Sequence, residues 1–445
     1  MSATPTAVRR ARLADLTEYL VDDRVGVVGA VEESPRAAGA PDFFHFVARA
    51  ANTATFSALP NFANAGGAAM VREDAVAKAI GEAVERYCSA IFDVERLPLA
   101  TAEDAPFDCV DPAEFALHTD AEYDDPGFPW ARFRTDTPVR WVPATDLATG
   151  GIRHVPAAMV YVPYTYYLDS GDRAIVQPIS TGLACHSSPA EAARSAICET
   201  VERDAFTITW QARLAARQIL VETLSDANYD AVHRFERTGS TVTLLDITTD
   251  FAVPTVLALL HSAAPGAPAL VVAAAAEPDP ELAVRKSLEE LAHTRRYSQQ
   301  IKDGLPRLAR LPGYTNVVDQ VSHLNFWADH ANAELAQFAV ASPERVAFDD
   351  LPSIATGAPD HDVAALVDRI SRAGHQVLIA DVTTSDVRDL GLTVVRAIVP
   401  GSHPLYMGHT GRARGGRRLW EVPQRLGHRG LSREIGDNPL PHPYP

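Results

Sequence analysis

Three stretches of the chain combine helical periodicity with acids on the apolar side, which is unusual for a purely structural helix. The longest, AEAARSAICETVERDAF from Ala190 to Phe206, predicts a helix. At about 3.6 residues per turn, Glu191, Glu199 and Glu202 fall within roughly a quarter of its circumference, on a stripe that also holds Cys198. A second stretch, Ala75 to Ser89, sets Glu82 and Glu85 at i,i+3 and follows them with Arg86. A third, ELAVRKSLEELAHTRRYSQQI, gathers Glu289, Glu290, His293, Arg295 and Arg296. Taken singly, each also reads as an ordinary solvated, ion-paired helix face. Taken together, they describe carboxylates that repel one another in a partly buried site unless protons, arginines or a metal ion compensate.

Alternating and continuous apolar runs predict strands at Val25–Val31, Asp42–Ala50, Val139–Leu147, Val155–Tyr164, Leu270–Glu277 and Val394–Gly401. Residues 1 to about 25 read as a short charged helix, and NFANAGG, Asn61 to Gly67, as a flexible loop before the helix that starts near Ala75. Gly182 sits among Ser180, Thr181, Ser187 and Ser188, whose hydroxyls read either as phosphate contacts or as a helix N-cap. VHRFERTGSTVTLLDITTD from Val232 and VDRISRAGHQVLIADVTTSD from Val367 share Val, Arg, Arg, Gly, Val, Asp, Thr and Thr at one constant spacing. Each copy predicts a helix closed by Gly, then a buried strand ending in an Asp-x-Thr-Thr turn, so duplicated α/β units are expected.

Composition narrows the chemistry. A chain of 445 residues, 47% hydrophobic and 22% charged, has ample material for a globular core. Its net charge of -17 argues against nucleic acid as a partner, because phosphate backbones demand a basic face. Cys88, Cys109, Cys185 and Cys198 show no C-x-x-C spacing, so reduced thiols are expected rather than a zinc site or disulfides. No secretory signal is read at the N-terminus, and the most apolar region, Thr255 to Ala276, is interrupted by His261, Pro265, Gly266 and Pro268. The expectation is a cytoplasmic protein with no membrane partner. There is no G-x-x-x-x-G-K-[ST], no G-x-G-x-x-G after a strand, no H-E-x-x-H and no G-x-S-x-G. What remains is a carboxylate-and-arginine site without a common nucleotide motif, suited to a hard cation and a phosphate.

Several separated motifs, in order, resemble the YcaO family of ATP-utilising peptide-modifying enzymes. GEAVERY at Gly81–Tyr87 is similar to the first family helix, TGLACHSSPAEA with CETVERDAF to the second, and SLEELAHTRR to the third. The end of the chain, with VPGSHPLYMGH, GGRRLWEVPQRLG and NPLPHPYP, resembles the azoline-forming cyclodehydratase subgroup, whose tail reads P-x-P-x-P, here Pro441, Pro443 and Pro445. The resemblance implies an α/β (α+β) YcaO-type fold, with duplicated helix-strand units around mixed sheets and an ATP site lined by helices. It divides the chain into an N-terminal extension, 1–24, and a cyclodehydratase domain, 25–445, ending in the tail 437–445.

The same resemblance implies ATP and Mg2+ as cofactors, with Glu82, Glu85, Glu199 and Glu202 as metal ligands. Lys78, Glu191, Arg203, Glu290 and Arg295 would contact or orient nucleotide, and the carboxylate of Pro445 is the candidate general base. Lys78, His293 and Thr181 depart from the family, which often has Ser, Gln and Asn there. The implied reaction is ATP-dependent cyclisation of Cys, Ser or Thr in a ribosomally made precursor peptide to thiazoline or (methyl)oxazoline. The implied partners are that peptide, an E1-like or ThiF-like leader-binding protein and a separate flavin-dependent azoline dehydrogenase, around a homodimer within a larger complex. Thioamide or amidine formation by the same activation, and a nonenzymatic scaffold role, are the alternatives.

Overall fold

The structure is a computed structural model that describes residues 16–115, 117–432 and 434–445. Three sheets and three long helices organise it. Strands β1 (Val28–Glu33), β2 (Phe44–Ala50) and β3 (Asn64–Ala69) form an antiparallel sheet in that order. Helix α1 (Arg72–Cys88) follows β3 directly and lies against it.

Strands β4 (Leu99–Ala100), β5 (Val139–Asp146), β6 (Ile152–Pro156) and β7 (Leu183–His186) belong to a second sheet. Helix α2 (Pro189–Gln211) follows β7. A third sheet contains β8 (Arg217–Ile219), β9 (Ser240–Asp246), β10 (Thr255–Ser262), β11 (Leu270–Ala276) and β12 (Arg345–Val346), in the order β11-β10-β9-β8-β12. It is mixed, because β12 pairs β8 in parallel. Helix α3 (Asp226–Glu236) precedes β9 and helix α4 (Pro280–Gly304) follows β11. Strands β13 (Leu378–Asp381) and β14 (Thr393–Ile398), preceded by helix α5 (Pro359–Arg372), return to the second sheet, whose order is β4-β5-β13-β14-β7 with β6 on β5.

The duplication expected from the sequence is present, one copy in each large sheet. Gly239 and Gly374 both have positive φ, +79° and +88°, after α3 and α5. The Asp246 carboxylate accepts from Thr248 N and the Asp381 carboxylate from Thr383 N. The Thr248 hydroxyl then accepts from Thr255 N, as that of Thr383 does from Val394 N. The shared Asp and Thr residues therefore build the same turn into the next antiparallel strand, β10 in one copy and β14 in the other.

Helix α2 runs between the sheets. Ala192, Ala196, Ile197 and Val201 pack with Val395, Ala397 and Leu366 on one side, and Phe206 and Trp210 with Leu257, Val272 and Trp327 on the other. A helix buried around most of its circumference needs its polar side chains satisfied internally. Asp204, fully buried, meets Arg418 through two hydrogen bonds of 2.8 and 2.7 Å and accepts from His403 N at 2.7 Å. Arg418 opens a helix, Arg418–Arg425.

Two expectations fail locally. The Gly-rich segment around Asn61–Gly67 supplies strand β3 rather than a flexible loop. A Cβ on Gly67 would come within 2.5 Å of Ala75 O and 2.7 Å of Lys78 Cβ, so glycine lets α1 press on the strand. The strand expected over Val155–Tyr164 stops at Pro156 and continues as a 3-10 turn, Ala157–Met159, because prolines lack the N–H that would extend the ladder. Of the expected N-terminal helix, Thr17–Leu20 is helical and residues 1–15 lie outside the described residues.

Candidate active site

The break in the burial of α2 is the site. Glu199, Glu202 and Arg203 are only part-buried, along one face of a helix whose flanking residues are buried. Helix α1 presents Glu82 and Glu85 to the same place with the same local spelling, Glu-x-Val-Glu-Arg. Backbone N–H groups from the strand before each helix hold the acids of α1. Gly66 N, on β3, donates to Glu82 at 2.7 Å, and Cys185 N, on β7, donates to Glu85 at 2.7 Å. Arg86 closes on Glu82 at 2.6 Å. Across the gap, Arg203 lies 2.9 Å from Glu202 and 3.3 Å from Glu199.

Burial and neighbouring charge shift Glu85, Glu199 and Glu202. Burial, then the charges of Glu199 and Glu82, push the Glu85 carboxyl well above its usual range. Burial also raises Glu199, against the opposing pull of Arg203 and Arg396. Glu202 is pushed up to about 7, mainly by burial and the Glu199 charge, with Arg203 and a hydrogen bond from Tyr444 pulling the other way. A protein holding part-buried carboxylates this far from their preferred ionisation leaves room for a bound cation to restore them.

Helix α4 joins the site through Lys78. Its ammonium lies 3.0 Å from both Glu289 and Glu290, bridging α1 and α4. Burial opposes its charge, but the two acids outweigh burial and raise its pKa. Lys78 also holds Glu290 below its usual range despite burial. His293, a turn further on, covers Gly66, where a Cβ would come within 2.3 Å of its ring. Arg295 lies on another part of α4, 7% exposed and 3.4 Å from Gly39 O, with its pKa lowered by burial.

Glu191 stands apart from the acid group, in the first turn of α2, with its carboxylate 3.5 Å from His186. Ser188 caps that turn by accepting from Glu191 N, so the N-cap reading of this Ser-rich segment holds. Gly182 is required where it stands: φ is +84° and a Cβ would meet Ala397 O at 2.5 Å.

The C-terminal tail also reaches the acids, through Tyr444. The indoles of Trp210 and Trp327 donate to Leu440 O at 3.3 Å and Pro441 O at 3.1 Å. His442 O accepts from His323, whose ring stacks on that of His442 at 3.8 Å. Tyr444, 2% exposed, packs on Phe206 and donates its hydroxyl to Glu202, while Arg203 sits 4.8 Å above its ring. Pro445 follows Tyr444 directly in the chain.

Sequence reasoning missed Tyr444 and Arg396. The signal for Tyr444 was the two-residue alternation Leu440, His442, Tyr444 against the prolines, which turns one side of an extended tail inward. The signal for Arg396 was a lone charge inside the otherwise apolar run VVRAIV.

A family model described as YcaO cyclodehydratase, ATP- and Mg2+-binding, matches residues 66–403. The chain belongs to the YcaO family. Its sequence is 28% identical over 347 residues to an uncharacterized protein of Methanothermobacter thermautotrophicus, covering 75% of this chain and 80% of that one. A heterocyclase in complex with substrate and cofactor superposes on 98% of this chain, with a TM-score of 0.80 at 20% identity. The YcaO protein of Methanopyrus kandleri, bound with AMPPCP and Mg2+, superposes over 88% of this chain and 90% of its own, with a TM-score of 0.66 at 22% identity. The chain spans 57% of the length of that heterocyclase. At these identities the likeness is one of fold.

The residues of this YcaO chain fit Mg2+ and ATP. Among the described residues no three His, Cys, Asp or Glu side chains form a cation cage by themselves. Mg2+ does not require one, since it commonly takes one or two carboxylates and completes its shell with water and substrate phosphates. Glu82, Glu85, Glu199 and Glu202 would supply hard oxygen ligands, and Arg86 and Arg203, paired with Glu82, Glu199 and Glu202, would limit the negative charge. Among the described residues no helix is long and apolar enough to cross a membrane.

Proposed function

We propose that the protein is an ATP-dependent cyclodehydratase that converts Cys, Ser or Thr of a ribosomally made precursor peptide to thiazoline or (methyl)oxazoline. The observation that supports this chemistry is the tail: Tyr444, the residue before Pro445, donates to Glu202. In this reading the peptide side chain attacks the preceding amide carbon, the hemiorthoamide oxygen is phosphorylated, and loss of phosphate leaves the ring.

Bound Mg2+ and ATP supply the phosphoryl group and neutralise its charge. The protein's part is to hold and orient. Glu82, Glu85, Glu199 and Glu202 are the metal ligands of the proposal, and Arg203, fixed by Glu199, Glu202 and the Tyr444 ring, faces phosphate charge. Lys78 balances Glu289 and Glu290 at the edge of the site, and Arg295 and Glu191 orient nucleotide from its periphery. The Pro445 carboxylate takes the proton released as the nucleophile attacks. An E1-like or ThiF-like partner presents the leader of the peptide, and a separate flavin-dependent dehydrogenase oxidises the rings.

The test is ATP turnover by the purified protein with a leader-binding partner and its precursor peptide, followed by mass spectrometry. Loss of one water per ring is the expected result. Replacement of oxygen by sulfur would transfer the protein to thioamide formation, and absence of nucleotide turnover with every pairing would overturn both enzymatic readings.

A further inference from the structure

A cavity of about 140 Å³ lies against α2, where Thr200 and Arg203 line it together with Arg396. Its walls come from β14, the loop after it, and the segments around Met159 and Ile179. They are mostly apolar, with Leu117, Met159, Ile179, Leu405 and Tyr406 among them. Arg203 and Arg396 also line it, and among the described residues no Asp or Glu does. An apolar cavity of about 150 Å³ is enough for one benzene-sized group.

Arg396 is 5% exposed. One of its amino groups donates to Ile179 O at 2.8 Å. Among the described residues its Nε and its other amino group, Nη1, have no hydrogen-bond partner. Burial lowers its pKa to about 10, and the Glu199 charge only partly offsets that. Buried guanidinium donors left unpaired are costly, and such groups in native proteins commonly await a ligand. The Arg396 side chain lines a socket sized for one side chain, and the charge of Glu199 acts on it.

We propose that the cavity takes the side chain of the peptide residue preceding the ring-forming Cys, Ser or Thr, and that Arg396 donates to that residue's amide oxygen. This rests on the cyclodehydratase reading and adds to it a peptide subsite. As the new carbon–sulfur or carbon–oxygen bond forms, the carbonyl π pair moves onto the oxygen, and the nucleophile's proton goes to the general base. A guanidinium aimed at that oxygen acts where charge develops. The chemistry recognised is an amide oxygen with an aliphatic neighbour. A nucleotide phosphate is the competing claimant for the same donors.

The experiment compares wild type, Arg396→Gln and Met159→Ala, each with the leader-binding partner and precursor variants carrying Gly, Ala, Leu or Phe before the cyclising residue. AMPPCP with Mg2+, titrated separately, reports nucleotide affinity. Arg396→Gln is expected to lower kcat/KM for peptide about ten- to a hundred-fold, as for a lost hydrogen bond to a charged group, with AMPPCP affinity within about two-fold. Met159→Ala is expected to shift preference from Leu toward Phe, an effect that a purely structural role would not produce. Unimpaired ring formation by Arg396→Gln, a loss confined to AMPPCP affinity, or an unchanged preference in Met159→Ala would overturn the inference while leaving cyclodehydration intact. Absence of rings with wild type would instead overturn the cyclodehydratase reading, and the inference with it.

Discussion

Replacing Lys78 with Met separates two roles for the residue that bridges α1 and α4. The side chains have similar length, so shape is kept and the charge is removed. Lys78 lies 3.0 Å from each of Glu289 and Glu290, and the Glu289 side chain is only 7% exposed. Breaking a buried pair by deleting one partner costs about 3–5 kcal/mol, because the remaining charge stays buried without compensation. Lys78 is 26% and Glu290 47% exposed, so solvent screens part of that cost. An estimate of about 2–4 kcal/mol follows, which lowers Tm by roughly 2–4 °C in a chain of this length. Differential scanning calorimetry of the metal-free protein measures this, and AMPPCP titration with Mg2+ measures nucleotide affinity alongside. If Lys78 chiefly balances acids, Tm falls and the double variant with Glu289→Gln recovers much of the loss. An unchanged Tm with greatly weakened AMPPCP binding would refute that reasoning and make Lys78 a phosphate ligand.

Other consequences are equally direct. Tyr444→Phe removes a hydrogen bond that lowers the pKa of Glu202, so the pH above which Mg2+–AMPPCP binds should move upward from about 7. An unmoved binding profile would disconnect the tail from the acids. Arg418→Met leaves Asp204 fully buried and without its ion partner, and should cost about 3–5 kcal/mol in urea denaturation. Burial depresses His323 to about 4 and His442 well below the usual value of 6.5, the latter aided by His323. As pH falls below 6.5, the unfolded chain takes up protons that the docked tail refuses, so these two rings make docking weaken progressively toward pH about 4. Fluorescence of Trp210 and Trp327, whose indoles hold the tail, should change in that window in the wild type and much less in His323→Gln.

The acid helices were legible because the physics that places a carboxylate on an apolar face leaves a periodic trace. The duplicated units were legible because Gly239, Gly374 and the Asp-x-Thr turns each have a local backbone reason. Strand β3 was not, since Gly66 and Gly67 carry no strand preference and owe their conformation to α1 and His293 pressing on them. Glu191 shares a helical stripe with Glu199 and Glu202, yet periodicity says nothing of distance along the axis, and the carboxylate meets His186 instead. Lys78 showed as an unexpected cation, but its partners lie on a helix some two hundred positions away. The prolines of the tail drew notice, whereas the contact with the acids is made by Tyr444 between them.

The central claim is that Glu82, Glu85, Glu199 and Glu202 form one Mg2+-dependent nucleotide site. Isothermal titration of AMPPCP into the purified protein tests it most directly, with and without Mg2+, for wild type and for Glu199→Gln and Glu202→Gln. The account predicts binding by wild type that requires Mg2+, and a loss of about ten-fold or more in each variant while circular dichroism shows an unchanged fold. Nucleotide binding that is indifferent to Mg2+, or equal in wild type and both variants, would contradict it.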